Sequence, residues 1–189
     1  ARSLFNRKPD WAIVSLYGSF AKTYKGHGTD VAIIAGLLDF DTSDTRLPEA
    51  FDIAKKENLK VTFIEEDAVV DHPNTARIRM GDSEGEMELV GISIGGGKIE
   101  ILELNGFELR LSGHHPAILV VHDDKFGAIA SVSNVLASHQ INIGHMEVSR
   151  KEVGSTALMT IEVDQNIGQD ILDEISQLAH VTRVTKIAD

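Results

Sequence analysis

The sequence predicts an α+β chain in two parts: an N-terminal α+β domain with an antiparallel meander over residues 1–112, and a C-terminal βαββαβ domain over residues 117–189, joined by a linker at 113–116. Three observations predict this. Apolar residues change from mixed spacing to period two from Ala76 onward. Hairpin-turn signals (Gly81-Asp82-Ser83-Glu84-Gly85, Gly95-Gly96-Gly97 and Asn105-Gly106) then recur between the alternating runs. Finally, Ser112-Gly113-His114-His115-Pro116 breaks the pattern before strand and helix signals alternate again.

In the first part, Trp11 to Tyr17 is a short apolar strand that stops at Gly18, and two small turns follow. Asp30 to Leu38 reads as a buried helix with Thr29 or Asp30 as its N-cap. Pro48 opens a second helix whose apolar side carries Ala50, Phe51, Ile53 and Ala54. Leu59 to Glu65 is a further strand. The meander comprises Ala76 to Met80, Glu86 to Ile94, Lys98 to Leu104 and Phe107 to Leu111.

In the second part, Ala117 to His122 is a strand, Asp123 to Gly127 a turn, and Ala128 to Ser138 a helix. Ile129, Val132, Val135 and Leu136 share one helix face, so with Phe126 they are expected in the core. Ile141 to Arg150 and Ser155 to Val163 are strands, Gly168 to Leu178 a second helix, and Val181 to Ile187 a closing strand. That order is the ferredoxin-like split unit, which hosts many functions.

The bulk numbers exclude whole classes. A net charge of −11 over 189 residues argues against nucleic acid or an anionic membrane, which both need clustered Lys and Arg. No apolar run approaches the roughly 20 residues that span a bilayer, and no secretory signal opens the chain, so a cytoplasmic address is expected. With no Met at residue 1, a trimmed fragment is expected. Cysteine is absent, so this chain offers no disulfide, no thiolate nucleophile and no thiolate ligand.

Some residues carry more specific signals. His122-Asp123-Asp124-Lys125-Phe126-Gly127, with Asn142-Ile143 after the helix, resembles the ACT domain, a regulatory module of amino-acid enzymes. The resemblance implies a homodimer and an effector held across its interface, with His122, Asp124, Gly127 and Asn142 as the effector-binding set. Asp124 departs from the Asn that serine binders often carry there. Its carboxylate repels the carboxylate of serine and suits an amine or a monovalent cation.

The first part also resembles a family. Ser15-Leu16-Tyr17-Gly18-Ser19-Phe20-Ala21-Lys22-Thr23, Gly26-His27-Gly28-Thr29-Asp30 and Ile92-Ser93-Ile94-Gly95-Gly96-Gly97-Lys98-Ile99 are similar to the β-subunit domain of iron–sulfur L-serine dehydratases. Phosphoglycerate dehydrogenases carry a related allosteric module, so a non-catalytic regulatory half of such a protein is the rival reading. The first resemblance implies a lyase that turns L-serine into pyruvate and ammonia, with a [4Fe–4S] cluster. The cluster's thiolates would come from a cysteine-bearing α subunit, and this chain alone would be inactive. The Ser-rich stretch ending in His that the family carries ahead of this region is not found here.

The implied catalytic candidates are His27, Ser19, Thr29 and Asp30. An imidazole between two glycines suits a substrate contact or proton shuttling, or a histidine that merely packs before a helix; the resemblance favours the first. Ser19 suits a carboxylate, and helix capping explains Thr29 and Asp30 almost as well. Gly95-Gly96-Gly97 beside Lys98 reads as a permissive turn, with an anion cradle as the alternative. Arg77 and Arg79 share a solvated strand face, with a carboxylate or phosphate effector as the alternative. His114, His115 and His122 lack a carboxylate spaced to complete a metal site.

Overall fold

The computed structural model describes residues 1–113 and 115–187. Two compact units divide between Ile99 and Glu100. The mixed α+β class is as the sequence predicts.

The first unit contains helix α1 (Arg2–Phe5), strand β1 (Trp11–Tyr17), helices α2 (Gly18–Thr23), α3 (Thr29–Leu37) and α4 (Ala50–Lys56), and strands β2 (Lys60–Glu66), β3 (Thr75–Gly81) and β4 (Glu86–Gly95). Its strands pair in the order β2-β1-β3-β4. β1 and β2 are parallel, Trp11 opposite Lys60 and Tyr17 opposite Glu66, whereas β3 runs antiparallel to β1 and to β4. The meander therefore starts only at β3, and β1-α2-α3-α4-β2 is a crossover. Parallel neighbours require such a connection, because a tight turn cannot reverse the chain twice.

Alternation along β1 puts Ala12, Val14 and Leu16 on one face, all essentially buried. Val14 and Leu16 pack with Ala21, Tyr24 and Ala76, bordered by Phe20, Ile33, Val61, Phe63 and Ile78. The Tyr24 and Phe63 rings stack with centroids 5.6 Å apart. On the other face, Arg77 pairs with Glu88 and Arg79 with Glu86 across β3 and β4. These guanidinium groups serve cross-strand ion pairs, the solvated-face reading.

Four local expectations give way. The stretch after Gly18 is helix α2 rather than two turns. Gly28, in the left-handed region, caps α3; neither Thr29 nor Asp30 does, and the Asp30 carboxylate accepts from the Val31 N–H at 2.9 Å. Leu47–Glu49, with Pro48 inside it, is a 3₁₀ turn, and α4 begins at Ala50. Phe51 is 47% exposed, so α4 buries Ala50 and Ala54 instead.

The second unit holds most of β5 (Lys98–Leu104), then β6 (Phe107–Leu111), β7 (Ala117–Asp123), α5 (Ala128–Ser138), β8 (Ile143–Arg150), β9 (Thr156–Val163), α6 (Gln169–Ser176) and β10 (Val181–Ile187). The order β10-β7-β9-β8, antiparallel throughout, is the ferredoxin-like sheet. Ile118, Val120, Met159, Ile161 and Val163 from the sheet bury against Val132, Val135 and Leu136 of α5 and Ile171 and Ile175 of α6.

Phe126 and Ile129 are exposed, contrary to their periodicity. Phe126 lies in the turn before the helix, and Ile129 on the flank of α5. Strand β6 contacts β8 and β9. The Arg110 N–H donates to Glu147 at 3.0 Å, and the Ser112 hydroxyl donates to Glu162 at 3.0 Å. Leu109 and Leu111 are buried there, so the β5–β6 hairpin packs with the C-terminal sheet.

Candidate functional site

The segment that follows β1 is pinned at its start. Gly18 holds φ +55°, and a Cβ on it would lie 2.7 Å from the Pro73 carbonyl oxygen, a contact side chains do not make. That carbonyl accepts the N–H groups of Ser19 at 2.6 Å and Phe20 at 3.3 Å. Two of the orphan donors at the start of α2 are thereby consumed. Ser19 stands exposed on this first turn.

After α2 the backbone turns through Gly26-His27-Gly28. The His27 N–H donates to Thr23 at 3.1 Å, and the Thr29 N–H to Tyr24 at 2.9 Å. His27 is exposed, and its ring has no hydrogen bond among the described residues. His27, Thr29 and Asp30 therefore share the tight turn opening α3. Ser19 sits eight residues back, on the first turn of α2, at the opposite end of that helix from the His27 turn. The fold groups three of the four candidates and separates the fourth.

The turn after β7 is built differently. His122 alternates with Ile118 and Val120, so it belongs to the helix-covered face, where it is 2% exposed. Its Nδ1–H donates to the Asp123 carbonyl at 2.7 Å, because a carbonyl can only accept. Nε2 is buried without a partner among the described residues.

Asp124 is already engaged. Its carboxylate accepts the Gly154 N–H and an Arg150 guanidinium N–H, both at 2.9 Å. Those bonds, the Gly154 N–H first and Arg150 second, hold it below the usual aspartate range. They also tie the turn to the β8–β9 hairpin. Gly127, with φ +86°, caps α5.

Asn142 precedes β8 and donates to Asp164 at 2.6 Å. β8 and β7 both run antiparallel to β9 and hence parallel to each other. Asn142 therefore lies at the end of the sheet where β7 begins, and the His122–Gly127 turn lies where β7 ends. Seven strand intervals of ~3.3 Å separate them by roughly 23 Å. One copy does not bring the four effector candidates together.

No group of three or more His, Asp or Glu among the described residues is placed to hold a metal ion, and His114 lies outside those residues. With no cysteine anywhere in the sequence, the residues present do not fit an iron–sulfur cluster. The sequence reading missed Lys22, Lys25, Glu65 and Glu66, which line a cleft at the carboxyl ends of β1 and β2. The parallel pairing that creates this cleft is a long-range feature with no local signature.

Comparison with known proteins decides the family. The serine dehydratase beta chain model matches residues 5–57, and the ACT domain model matches residues 117–180. The chain is 68% identical over 189 residues to the probable L-serine dehydratase beta chain of Bacillus subtilis (strain 168), covering 100% of this chain and 86% of that protein. This chain belongs to the serine dehydratase beta chain family. The L-serine dehydratase beta chain of Peptoniphilus asaccharolyticus, a more distant member, is 31% identical over 93% of this chain and 80% of its own length. The D-3-phosphoglycerate dehydrogenase of Synechocystis sp. is 25% identical over 91% of this chain, but that covers only 31% of the dehydrogenase. The beta-chain family thus places the His27 turn in its first domain and the His122–Gly127 turn in an ACT domain.

Proposed function

We propose that this chain is the β half of a two-subunit L-serine ammonia-lyase. Loss of water across Cα–Cβ of L-serine gives aminoacrylate, which tautomerises and hydrolyses to pyruvate and ammonia. The observation that carries this reading is the absence of any thiol in a member of this family. A [4Fe–4S] cluster, which polarises oxygen ligands when bound, needs thiolates, and a cysteine-bearing α subunit is their source.

The part of this chain is to complete the site. His27 offers an exposed imidazole on a turn fixed by backbone hydrogen bonds to α2. It contacts the substrate or moves a proton at its ring nitrogens, while Thr29 and Asp30 flank it. In the assembled enzyme, His27→Ala is expected to lower kcat about 100-fold or more with the same α–β affinity. An unchanged kcat would remove His27 from the site and leave only a loop histidine.

Regulation belongs to the ACT domain. We propose a homodimer in which the His122–Gly127 turn of one copy meets Asn142 of the other, the arrangement that their separation in one chain supports. Because the β5–β6 hairpin packs with the sheet, association uses the open β8 edge and the flank of α5. Phe126, Ile129, Val148 and Val153 are exposed in this region. Asp124, bound to Arg150 and Gly154, shapes the turn, and an amine or monovalent cation is the effector chemistry it leaves room for.

A second reading has one observation in its favour, the match to D-3-phosphoglycerate dehydrogenase over most of this chain. It makes the chain a regulatory half that binds an effector and completes no lyase. Pyruvate formation from L-serine when this chain is mixed with an α subunit separates the two, since the second reading gives no gain over the α subunit alone.

A further inference from the structure

Strand β2 ends the N-terminal sheet, with β1 on one side and no described strand on the other. The Lys60 N–H donates to the Asp10 carbonyl at 3.0 Å, on the β1 side. In a parallel ladder a residue turns both backbone groups to the same neighbour, so Lys60, Thr62, Ile64 and Glu66 serve β1. The N–H and C=O groups of Val61, Phe63 and Glu65 therefore point outward, and no other described element hydrogen-bonds to them.

The middle of this edge is unguarded. Its register with β1 runs unbroken from Lys60 to Glu66, without proline, glycine or bulge. The end strands of the C-terminal sheet are irregular instead, β8 between Ile143 and His145 and β10 between Val181 and Arg183. Sheets blunt exposed edges with bulges, proline or charge, and a flat edge without them is a template for pairing. Charge on β2 stands only at its ends, Lys60 at one and Glu65 and Glu66 at the other.

That distribution selects a second copy of the same strand. Antiparallel pairing about a two-fold axis at Phe63 sets Lys60 opposite the partner's Glu66, and Val61 opposite the partner's Glu65. Thr62 then faces the partner's Ile64. Each end gains a Lys–Glu pair, and the outward groups of residues 61, 63 and 65 bond in register. Sliding by two residues either way, the step that keeps outward groups opposed, loses both Lys60–Glu66 pairs. The Ser15 hydroxyl donates to Glu66 at 3.0 Å and orients its carboxylate. On the helix-covered face, Phe51 and Lys55 line a hollow of about 320 Å³ next to Val61. The partner's Glu65, opposite Val61, arrives beside that lysine. Ile64 at 39% and Phe51 at 47% exposure add apolar area along the edge.

We propose that β2 is a self-association edge, pairing antiparallel about Phe63 with β2 of a second copy of this chain. The contact rests on neither the lyase reading nor the ACT dimer. Seven residues a side make a small contact, so it is weak by itself and fills at roughly millimolar concentration.

The sequence has no cysteine, so introduced thiols report the register without interference. Thr62→Cys and Ile64→Cys, both at exposed positions, are made in separate full-length chains. Each also carries Val148→Lys to open the ACT contact, and the chains are oxidised at about 1 mM. A non-hydrogen-bonded antiparallel pair sets its Cα atoms about 4.5 Å apart, within disulfide reach. Disulfide-linked dimer is expected in the mixture and not in either variant alone. Lys60→Glu in both chains should slow cross-linking about tenfold or more, because it sets like charges opposite each other. In the wild-type chain, amide hydrogen exchange at Val61, Phe63 and Glu65 should slow as concentration rises. No dimer in the mixture, equal cross-linking of the single variants, or indifference to Lys60→Glu would overturn the pairing. Protection of those three amides only when an α subunit is added would also overturn it, and would give the edge to that partner.

Discussion

A methyl group on Gly18 would stand 2.7 Å from the Pro73 carbonyl oxygen while the backbone holds φ +55°. Gly18→Ala is therefore expected to lower unfolding free energy by about 2 kcal/mol, from strain and steric clash together, as read by urea titration. Asp124 has a different signature. Its folded carboxyl is held below the ordinary value of 3.8 by Gly154 and Arg150, so its stabilising contribution is present above that value. The contribution fades as pH falls through the lower, folded value. Asp124→Asn should make the protein less stable near neutrality and flatten the acid limb of a stability–pH curve below about pH 4. An acid limb identical to the wild type would show that the Arg150 and Gly154 contacts carry no such linkage. His122 illustrates what a residue name hides: its motif position was legible, but its burial beneath the helices depends on strand alternation and packing.

Elements were legible where periodicity was strong and local. β1, α5, β5, β6 and β10 have the bounds that the sequence predicts; β1, α5, β5 and β6 each combine a clean apolar pattern with Gly or Asn at an end. Gly18–Thr23 was not legible as a helix, since Gly and Thr disfavour one and its support comes from Pro73, fifty residues away. Phe126 and Ile129 were misread for a related reason. A helical period reports which residues could face inward, not how wide the covering layer is. Within α5, Leu136 is fully buried in the core cluster, and Leu136→Ala is expected to cost about 2–5 kcal/mol in a denaturation series. The exposed Ile129→Ala should cost under about 0.5 kcal/mol. If Ile129 proves as costly as Leu136 in dilute monomer, the burial pattern described above is wrong.

At the scale of the molecule, composition limits what this chain can hold. A chain with a net charge of −11 and no cysteine can present an imidazole, lysines and carboxylates, but it cannot hold a thiolate-bound cluster. The candidate turn at His27 was legible because its Gly-His-Gly-Thr-Asp string is local. The cleft at the ends of β1 and β2 and the separation of Asn142 from its supposed partners were not, because both depend on strand order. The homodimer is testable through the exposed β8 edge: Val148→Lys, beside Phe126→Ser, should shift light scattering from dimer to monomer. A wild-type chain that is monomeric at high concentration would contradict that interface. The most direct test is anaerobic reconstitution of this chain with the proposed α partner, reading pyruvate formed from L-serine and iron bound by each separated subunit. Iron on α alone, negligible pyruvate from either chain by itself, and turnover on mixing are the expected results. Full activity of α without this chain, or iron retained by this chain, would contradict them.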